Sequence, residues 1–132
     1  MTVAVVGSRS LAVSDLERYL PAGVTALVSG GAKGIDCCAK EYAHTHGLPF
    51  TEFLPEYDRF GRAAPLKRNQ QIVNCADEVL AFWDGSSRGT AWVIDYCRKK
   101  GKKITVCRMQ TVVDEAGTYA IDTDCETLSA VR

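Results

Sequence analysis

Short apolar runs rich in β-branched residues recur along the chain and predict the strands of a buried sheet. Continuous runs without strict apolar–polar alternation are typical of strands that are covered on both faces, as in parallel sheets. These runs lie at 3–6, 25–28, 49–54, 79–83 and 104–107. Residues 118–121 are a candidate for an additional strand at the edge of the sheet.

Helical periodicity fills the intervals between these runs. From Ile35 to His46 the apolar residues follow one helical face, and Gly47 stands where a helix commonly ends. Pro65 suits the first turn of a second helix. A third helix is predicted from Thr90 to about Lys100.

Two further segments lie between the predicted strands. Ser14 and Glu17 have the spacing of a capping box and predict a helix from about Asp15 to Leu20. Residues 55–64 are predicted to be a polar loop.

The alternation of strands and helices predicts an α/β fold. We expect one three-layer αβα domain over residues 1–132, with a mainly parallel sheet of about five strands covered by helices on both faces. In such sheets ligands bind beyond the carboxyl ends of the strands, near the point where the strand order reverses. The loops that follow the strands are therefore the first place to look for function.

Three loops at that edge combine glycine, small hydroxyl side chains and a cation. Glycine lets the backbone approach a phosphate closely, and N–H groups at a helix N-terminus donate to it. The alternative is that each loop is only a tight turn, but three such loops at one edge favour an anionic, nucleotide-type ligand. The loops are Gly7-Ser8-Arg9, Ser29-Gly30-Gly31-Ala32-Lys33-Gly34 and Asp84-Gly85-Ser86-Ser87-Arg88-Gly89-Thr90.

Several side chains are candidates for specific roles in such a site. Arg9 is predicted to bind phosphate, and Arg68 and Asn69 begin a helix that should approach the same cleft. If the protein is an enzyme, its acid or base is predicted among three acidic residues. These are Asp36, Asp84 and Glu56.

The chain contains neither of the two common phosphate-binding fingerprints. Its first turn does not read G-x-G-x-x-G, and its second loop lacks the G-K-[ST] of a P-loop. A standard NAD dehydrogenase or P-loop nucleotidase is therefore not expected.

Charge and hydropathy exclude several other classes of protein. The 132 residues include 16 basic and 16 acidic side chains, so the formal net charge is zero and a polycation that coats nucleic acid is excluded. No run reaches the roughly 18 apolar residues that span a bilayer, and the first apolar run is too short for a signal peptide. We expect a cytoplasmic protein with no membrane partner.

The cysteines predict neither a metal site nor a disulfide framework. The chain has six, none in a C-x-x-C pair, and most lie in apolar-periodic segments where free cysteine acts as a small core residue. We expect them to be reduced, and no cofactor to be required. They are Cys37, Cys38, Cys75, Cys97, Cys107 and Cys125.

Four motifs occur in the order seen in the SLOG superfamily, which groups the DprA/Smf DNA-processing proteins with the LOG phosphoribohydrolases. The resemblance covers about residues 3–108 and is greatest to the small, single-domain YspA/YpsA-related branch. It implies a Rossmann-like fold that binds a nucleotide or an ADP-ribose-like derivative above the first and fourth strands. The motifs are Gly7-Ser8-Arg9, Gly30 to Asp36, Lys67-Arg68-Asn69 and Gly85 to Thr90.

The two groups of relatives imply different functions, and the sequence leaves both open. LOG enzymes hydrolyse the N-glycosidic bond of nucleoside monophosphates with a glutamate, and Val93 stands at that position here. The DprA-like alternative is a module that binds single-stranded DNA, for which a basic stretch with aromatic residues after Tyr57 is the candidate surface. A homodimer is also left open. The stretch contains Arg59, Phe60, Arg62, Lys67 and Arg68.

Overall fold

The computed structural model describes residues 1–31 and 33–128. Strands and helices alternate over most of this length, as the sequence pattern predicts. The elements in chain order are β1 (Thr2–Gly7), a 3-10 turn (Leu16–Arg18), β2 (Ala26–Gly30), α1 (Ile35–Thr45), β3 (Phe50–Phe53), α2 (Tyr57–Phe60), a second 3-10 turn (Gly61–Ala63), α3 (Ala64–Cys75), β4 (Glu78–Trp83), α4 (Arg88–Lys100), β5 (Lys103–Asp114) and β6 (Gly117–Leu128).

The described strands form one mainly parallel sheet of six strands in the order β3-β2-β1-β4-β5-β6. The first five run parallel to their neighbours, and β6 runs antiparallel to β5. The order 3-2-1-4-5 is that of a Rossmann-like sheet, in which the chain reverses direction across the sheet between β1 and β4. The predicted α/β class and the additional edge strand are confirmed.

Both faces of the sheet are covered by apolar packing. Alternate residues of β1 point to opposite faces, so Val3 and Val5 enter one cluster while Ala4 and Val6 enter the other. Helix α1 packs in the first cluster through Ile35, Ala39 and Ala43. Helices α3 and α4 pack in the second through Ile72, Val73, Val93 and Cys97.

The predicted helix over Asp15–Leu20 is wrong, because only a 3-10 turn forms there. The turn spans Leu16–Arg18, its N-cap Asp15 makes no side-chain cap hydrogen bond, and Leu16 is its one buried residue. The segment is short and is followed closely by Pro21. It therefore buries too little apolar surface to offset the free-energy cost of nucleating a helix.

The predicted loop over residues 55–64 also needs correction, since it contains α2 and a 3-10 turn. Interactions within the segment support the short helix. Arg59 pairs with Glu56 at 3.7 Å, one helical turn away, and its guanidinium lies 4.9 Å from the ring centre of Phe60.

Strands β5 and β6 are much longer than predicted. Only the first half of β5 pairs with β4; from Met109 onward β5 pairs with β6 alone, beyond a bulge at Arg108/Met109. The two strands therefore continue as a hairpin past the carboxyl edge of the sheet. No helix in the described part of the chain is long and apolar enough to cross a membrane.

Candidate functional site

A cavity of about 500 Å³ lies beyond the carboxyl ends of β1 and β4, on the face covered by α3 and α4. This volume is in the range of small-ligand pockets, about 300–1,000 Å³. Val6, Ile72 and Val93 supply an apolar lining. The glycine and polar positions that line the cavity are Gly7, Arg9, Ser10, Asp36, Arg68, Asn69, Asp84, Ser87, Gly89 and Thr90.

The buried polar residues of the described chain are concentrated at this edge of the sheet. They are Ser8, Ser29, Asp36 and Thr90. A buried polar group is unfavourable unless it is hydrogen-bonded, so each of these side chains is held by specific partners. Asp36 and Thr90, which are 8% and 4% exposed, also line the cavity.

The first loop, residues 7–10, is tied to β4 and to the loop that follows β4. The Ser8 N–H donates to the Phe82 carbonyl at 3.0 Å, and the Ser8 hydroxyl accepts the Asp84 N–H at 3.2 Å. A β-carbon on Gly7 would lie 2.5 Å from Cγ1 of Ile35, so only glycine fits this approach. Arg9 follows directly and lines the cavity.

The loop after β4, taken together with the start of α4 as residues 84–90, is shaped by the carboxylate of Asp84. Its Oδ1 accepts the Ser86 N–H at 2.9 Å and the Ser87 N–H at 2.8 Å. The pKa of Asp84 is lowered below its ordinary value, chiefly by the hydrogen bond from Ser86. Partial burial opposes this shift, and hydrogen bonds from Ser87 and Ser8 add to it. Asp84 is therefore ionised at neutral pH and holds the loop in a fixed shape.

This arrangement leaves the N-terminus of α4 open to the cavity. Ser87 is the N-cap residue and makes no side-chain cap hydrogen bond, and its carbonyl accepts the Ala91 N–H at 3.1 Å. The N–H groups of the first helical turn have no carbonyl of the helix to bond. Gly89 and Thr90 of that turn line the cavity, where the helix dipole favours negative charge.

The loop after β2, taken together with the last two residues of the strand as residues 29–34, has a different role. None of its described residues lines the cavity. The Ser29 hydroxyl lies 2.6 Å from the Val5 carbonyl oxygen and 2.9 Å from Oδ1 of Asp36. Gly34 has a φ of +76°, and a β-carbon there would lie 2.5 Å from the Arg9 carbonyl oxygen. This loop therefore contacts residues that line or flank the cavity without lining it itself. Asp36, just beyond the loop in sequence, does line the cavity.

Arg68 and Asn69, two of the predicted site residues, line the cavity from α3. The Arg68 Nε donates to Oδ1 of Asn69 at 2.9 Å. A β-carbon on Gly30 would lie 2.7 Å from Nη1 of Arg68 and 3.0 Å from Oδ2 of Asp36. Gly30 thus gives room for a guanidinium and a carboxylate to lie close together beside the cavity.

Other predicted site residues lie outside the cavity lining. Glu56 is exposed and pairs with Arg59, away from the other two candidate acids. Ala32 lies outside the described residues. The other predicted positions that do not line the cavity are Ser8, Ser29, Gly30, Gly31, Lys33, Gly34, Gly85, Ser86 and Arg88.

Several lining residues of α3 were not predicted from the sequence. Pro65, Leu66 and Ile72 line the cavity together with Arg68 and Asn69. Positions 65, 68, 69 and 72 have the spacing i, i+3, i+4, i+7 of one helical face. Extending that face from the predicted Arg68 and Asn69 would have found Pro65 and Ile72.

Arg108 was not predicted either. It lines an adjacent cavity of about 330 Å³ that shares Asp84 with the first. Its guanidinium lies 5.5 Å from the ring centre of Trp83, whose Nε1 donates to the Ser87 carbonyl at 3.0 Å. Arg108 sits at a bulge beyond the predicted end of its strand, where no periodic pattern marks it.

The candidate DNA-binding stretch lies on α2 and the start of α3. Tyr57 is 61% exposed, whereas Arg59 is engaged with Glu56 and Phe60. Arg68, which belongs to the same stretch of sequence, lines the cavity instead.

No group of three or more His, Cys, Asp or Glu side chains within residues 1–31 and 33–128 is placed to hold a metal ion. Comparisons of the chain with protein-family models, with curated proteins and with solved structures find no match. Function is accordingly inferred from the side chains and backbone of the cavity.

Proposed function

We propose that this protein binds a nucleotide or nucleotide-derived ligand in the 500 Å³ cavity, with the ligand's phosphate at the first turn of α4. The observation that carries the proposal is the meeting of an open helix N-terminus with two arginines, Arg9 and Arg68, around one apolar-lined cavity. Backbone N–H groups and guanidinium groups are the donors that phosphate oxygens accept most strongly.

The rest of the cavity suits the remainder of a nucleotide. Val6, Ile72 and Val93 offer apolar surface to a base or to the carbon face of a ribose. Asp36 stands beside them, and a carboxylate is a suitable acceptor for a ribose hydroxyl. The order of SLOG-like motifs along the chain supports the same class of ligand.

Binding without turnover is the form of this function that the residues support best, which makes the protein a sensor. Val93, 3% exposed, lines the cavity at the position where the LOG enzymes that this chain resembles have their glutamate. Asp84 is an ionised carboxylate that already accepts several hydrogen bonds, so it is a poor proton donor.

If the ligand is processed, the reaction is hydrolysis of its N-glycosidic bond. Water would form a new bond to the anomeric carbon while the carbon–nitrogen bond breaks, and the departing base would take up a proton. Among the three predicted acids, Asp36 is the one placed to serve that reaction, because it is buried and lines the cavity.

Calorimetric titration with AMP, ADP-ribose, NAD and adenosine tests the proposal. We expect saturable binding of a phosphate-bearing compound, and binding of adenosine weaker by at least about tenfold because it lacks the charge-assisted hydrogen bonds of the phosphate. Arg9→Gln should weaken binding by about 10–100-fold on the same grounds. Arg88→Gln is the matched control, since Arg88 is an exposed cation of the same loops that does not line the cavity.

Absence of heat and of any thermal shift with all the phosphate-bearing compounds would contradict the proposal. Retardation of a single-stranded oligonucleotide that persists in Arg9→Gln and is lost when Arg59 and Arg62 are replaced by glutamate would instead support the DNA-binding alternative. Release of free base from AMP, abolished by Asp36→Asn, would establish turnover.

A further inference from the structure

Two of the six cysteines face each other across the β5–β6 ladder. Cys107 pairs directly with Cys125, immediately before the bulge at Arg108/Met109. Directly opposed residues of antiparallel strands have Cα atoms about 4.5–5.5 Å apart. A disulfide spans about 4.4–6.8 Å between Cα atoms, so the backbone already permits one here.

The two sulfur atoms have different surroundings. Cys107 is 1% exposed and packs in the first apolar cluster, whereas Cys125 is exposed. Burial, followed by the contact with Cys125, raises the pKa of the Cys107 thiol. An oxidant that arrives from solvent therefore meets Cys125 first.

We infer that Cys107 and Cys125 are a site of reversible disulfide formation by hydrogen peroxide. In the first step the Cys125 sulfur attacks one peroxide oxygen, the O–O bond breaks, and the departing hydroxide takes the thiol proton. The products are water and a sulfenic acid on Cys125. In the second step the Cys107 sulfur attacks the sulfenic sulfur, the S–O bond breaks, and the Cys107 proton leaves with the hydroxyl as water. Two thiols are thus oxidised by two electrons, and peroxide is reduced to two waters.

The other cysteines differ from this pair in their surroundings. Cys97 is buried in the second apolar cluster, on α4, and Cys75 is exposed at the end of α3. The Cys38 sulfur accepts the Val13 N–H at 3.4 Å. The sequence alone did not single out Cys107 and Cys125, because pairing across a ladder is visible only once the register of β6 is known.

The chain offers a direct test. Trypsin cleaves after Lys103 and after Arg108, so Cys107 and Cys125 fall in separate peptides, residues 104–108 and 109–132. The folded protein is treated with hydrogen peroxide, its remaining thiols are alkylated, and the digest is analysed without reductant. We expect the protein to lose two hydrogen atoms, the two peptides to be joined, and dithiothreitol to separate them. The reaction should quicken as pH rises, because the Cys107 sulfur must lose its proton.

Two variants complete the experiment. Cys125→Ser should abolish the cross-link, and Cys75→Ser, which removes another exposed cysteine, should leave it intact. The inference is overturned if peroxide leaves both thiols free. It is equally overturned if Cys125 accumulates as sulfinic or sulfonic acid, or joins a different cysteine, while Cys107 stays open to alkylation.

Discussion

The loop after β2 and the loop after β4 share glycine, small hydroxyl side chains and one cation, but they have opposite relations to the cavity. Each follows a buried strand and is rich in glycine, and each precedes a well-formed helix. The first, residues 29–34, gives none of its described residues to the cavity lining, whereas the second, residues 84–90, gives Asp84, Ser87, Gly89 and Thr90.

The two loops differ in the position of one acid. After β2 the acid, Asp36, lies in the first turn of α1, so its own carboxyl group stands at that helix N-terminus. After β4 the acid, Asp84, comes before the helix and accepts the N–H groups of Ser86 and Ser87. The first turn of α4 is thereby left for a ligand. Glycine content alone does not distinguish a phosphate site from a structural turn.

The largest effect on the free energy of unfolding should come from adding a methyl group to a glycine in each loop. In Gly34→Ala the new carbon meets the backbone carbonyls of Arg9 and Leu11 at a positive φ, so we expect the free energy of unfolding to fall by about 3 kcal/mol. In Gly85→Ala, also at a positive φ, it meets only the flexible end of Arg108, and the loss should be about 1–2 kcal/mol. Urea unfolding measures both, and equal losses would show that the loop after β2 is no more rigid than the other.

A smaller effect on stability should distinguish the structural role of the loop after β2 from the ligand-binding role of the loop after β4. Ser29→Ala removes the hydroxyl between Val5 and Asp36, and we expect a loss of about 1–3 kcal/mol in unfolding free energy. Thr90→Val keeps the side-chain shape and removes a hydroxyl whose contact with Ser87 is 3.4 Å, so stability should change by less than about 1 kcal/mol.

The same two variants should behave differently toward ligand. Thr90→Val should weaken AMP binding by about tenfold, the worth of one hydrogen bond to a charged group. Unfolding in urea and calorimetry on both proteins check this pair of expectations. The roles that we assign to the two loops would be contradicted if Ser29→Ala were as stable as the unmodified protein and Thr90→Val bound AMP as tightly as it does.

The smallest effect concerns the charge of Asp84. Its pKa in the folded protein lies below the ordinary value of 3.8, so ionisation stabilises the fold above that pH and the contribution is lost as pH falls through the folded-state pKa. We expect Asp84→Asn to unfold about 1 kcal/mol more easily at neutral pH, the difference between charged and neutral hydrogen bonds. Urea unfolding at neutral pH and again in acid should show this gap closing; a gap that persists in acid would mean that charge is not its cause.

The sequence pattern was a good guide wherever burial on both faces is required. The five strands of the parallel part of the sheet and the three longer helices were found because continuous apolar runs and helical stripes arise mainly in buried strands and helices. The polar side chains at the ends of β1 and β4 were found because parallel strands bring their carboxyl ends to one edge.

The parts that were missed depend on contacts that local pattern does not encode. The outer half of β5 and most of β6 are exposed, so only their mutual pairing makes them strands. The same exposure concealed Arg108 and the strand that places Cys125 opposite the buried Cys107. The different roles of the two glycine-rich loops could not be predicted from the sequence either. They depend on which backbone N–H groups donate to the Asp84 carboxylate.

The measurement that tests the central claim most directly is a nitrogen–proton NMR titration of the folded protein with AMP and, separately, with adenosine. We expect the amide signals of Gly89 and Thr90 to move saturably with AMP and to stay in place with adenosine at the same concentration, while those of Gly31 and Lys33 change little in either case. The largest shifts at Gly31 and Lys33, or equal shifts with both compounds, would contradict the assignment of the phosphate to the first turn of α4.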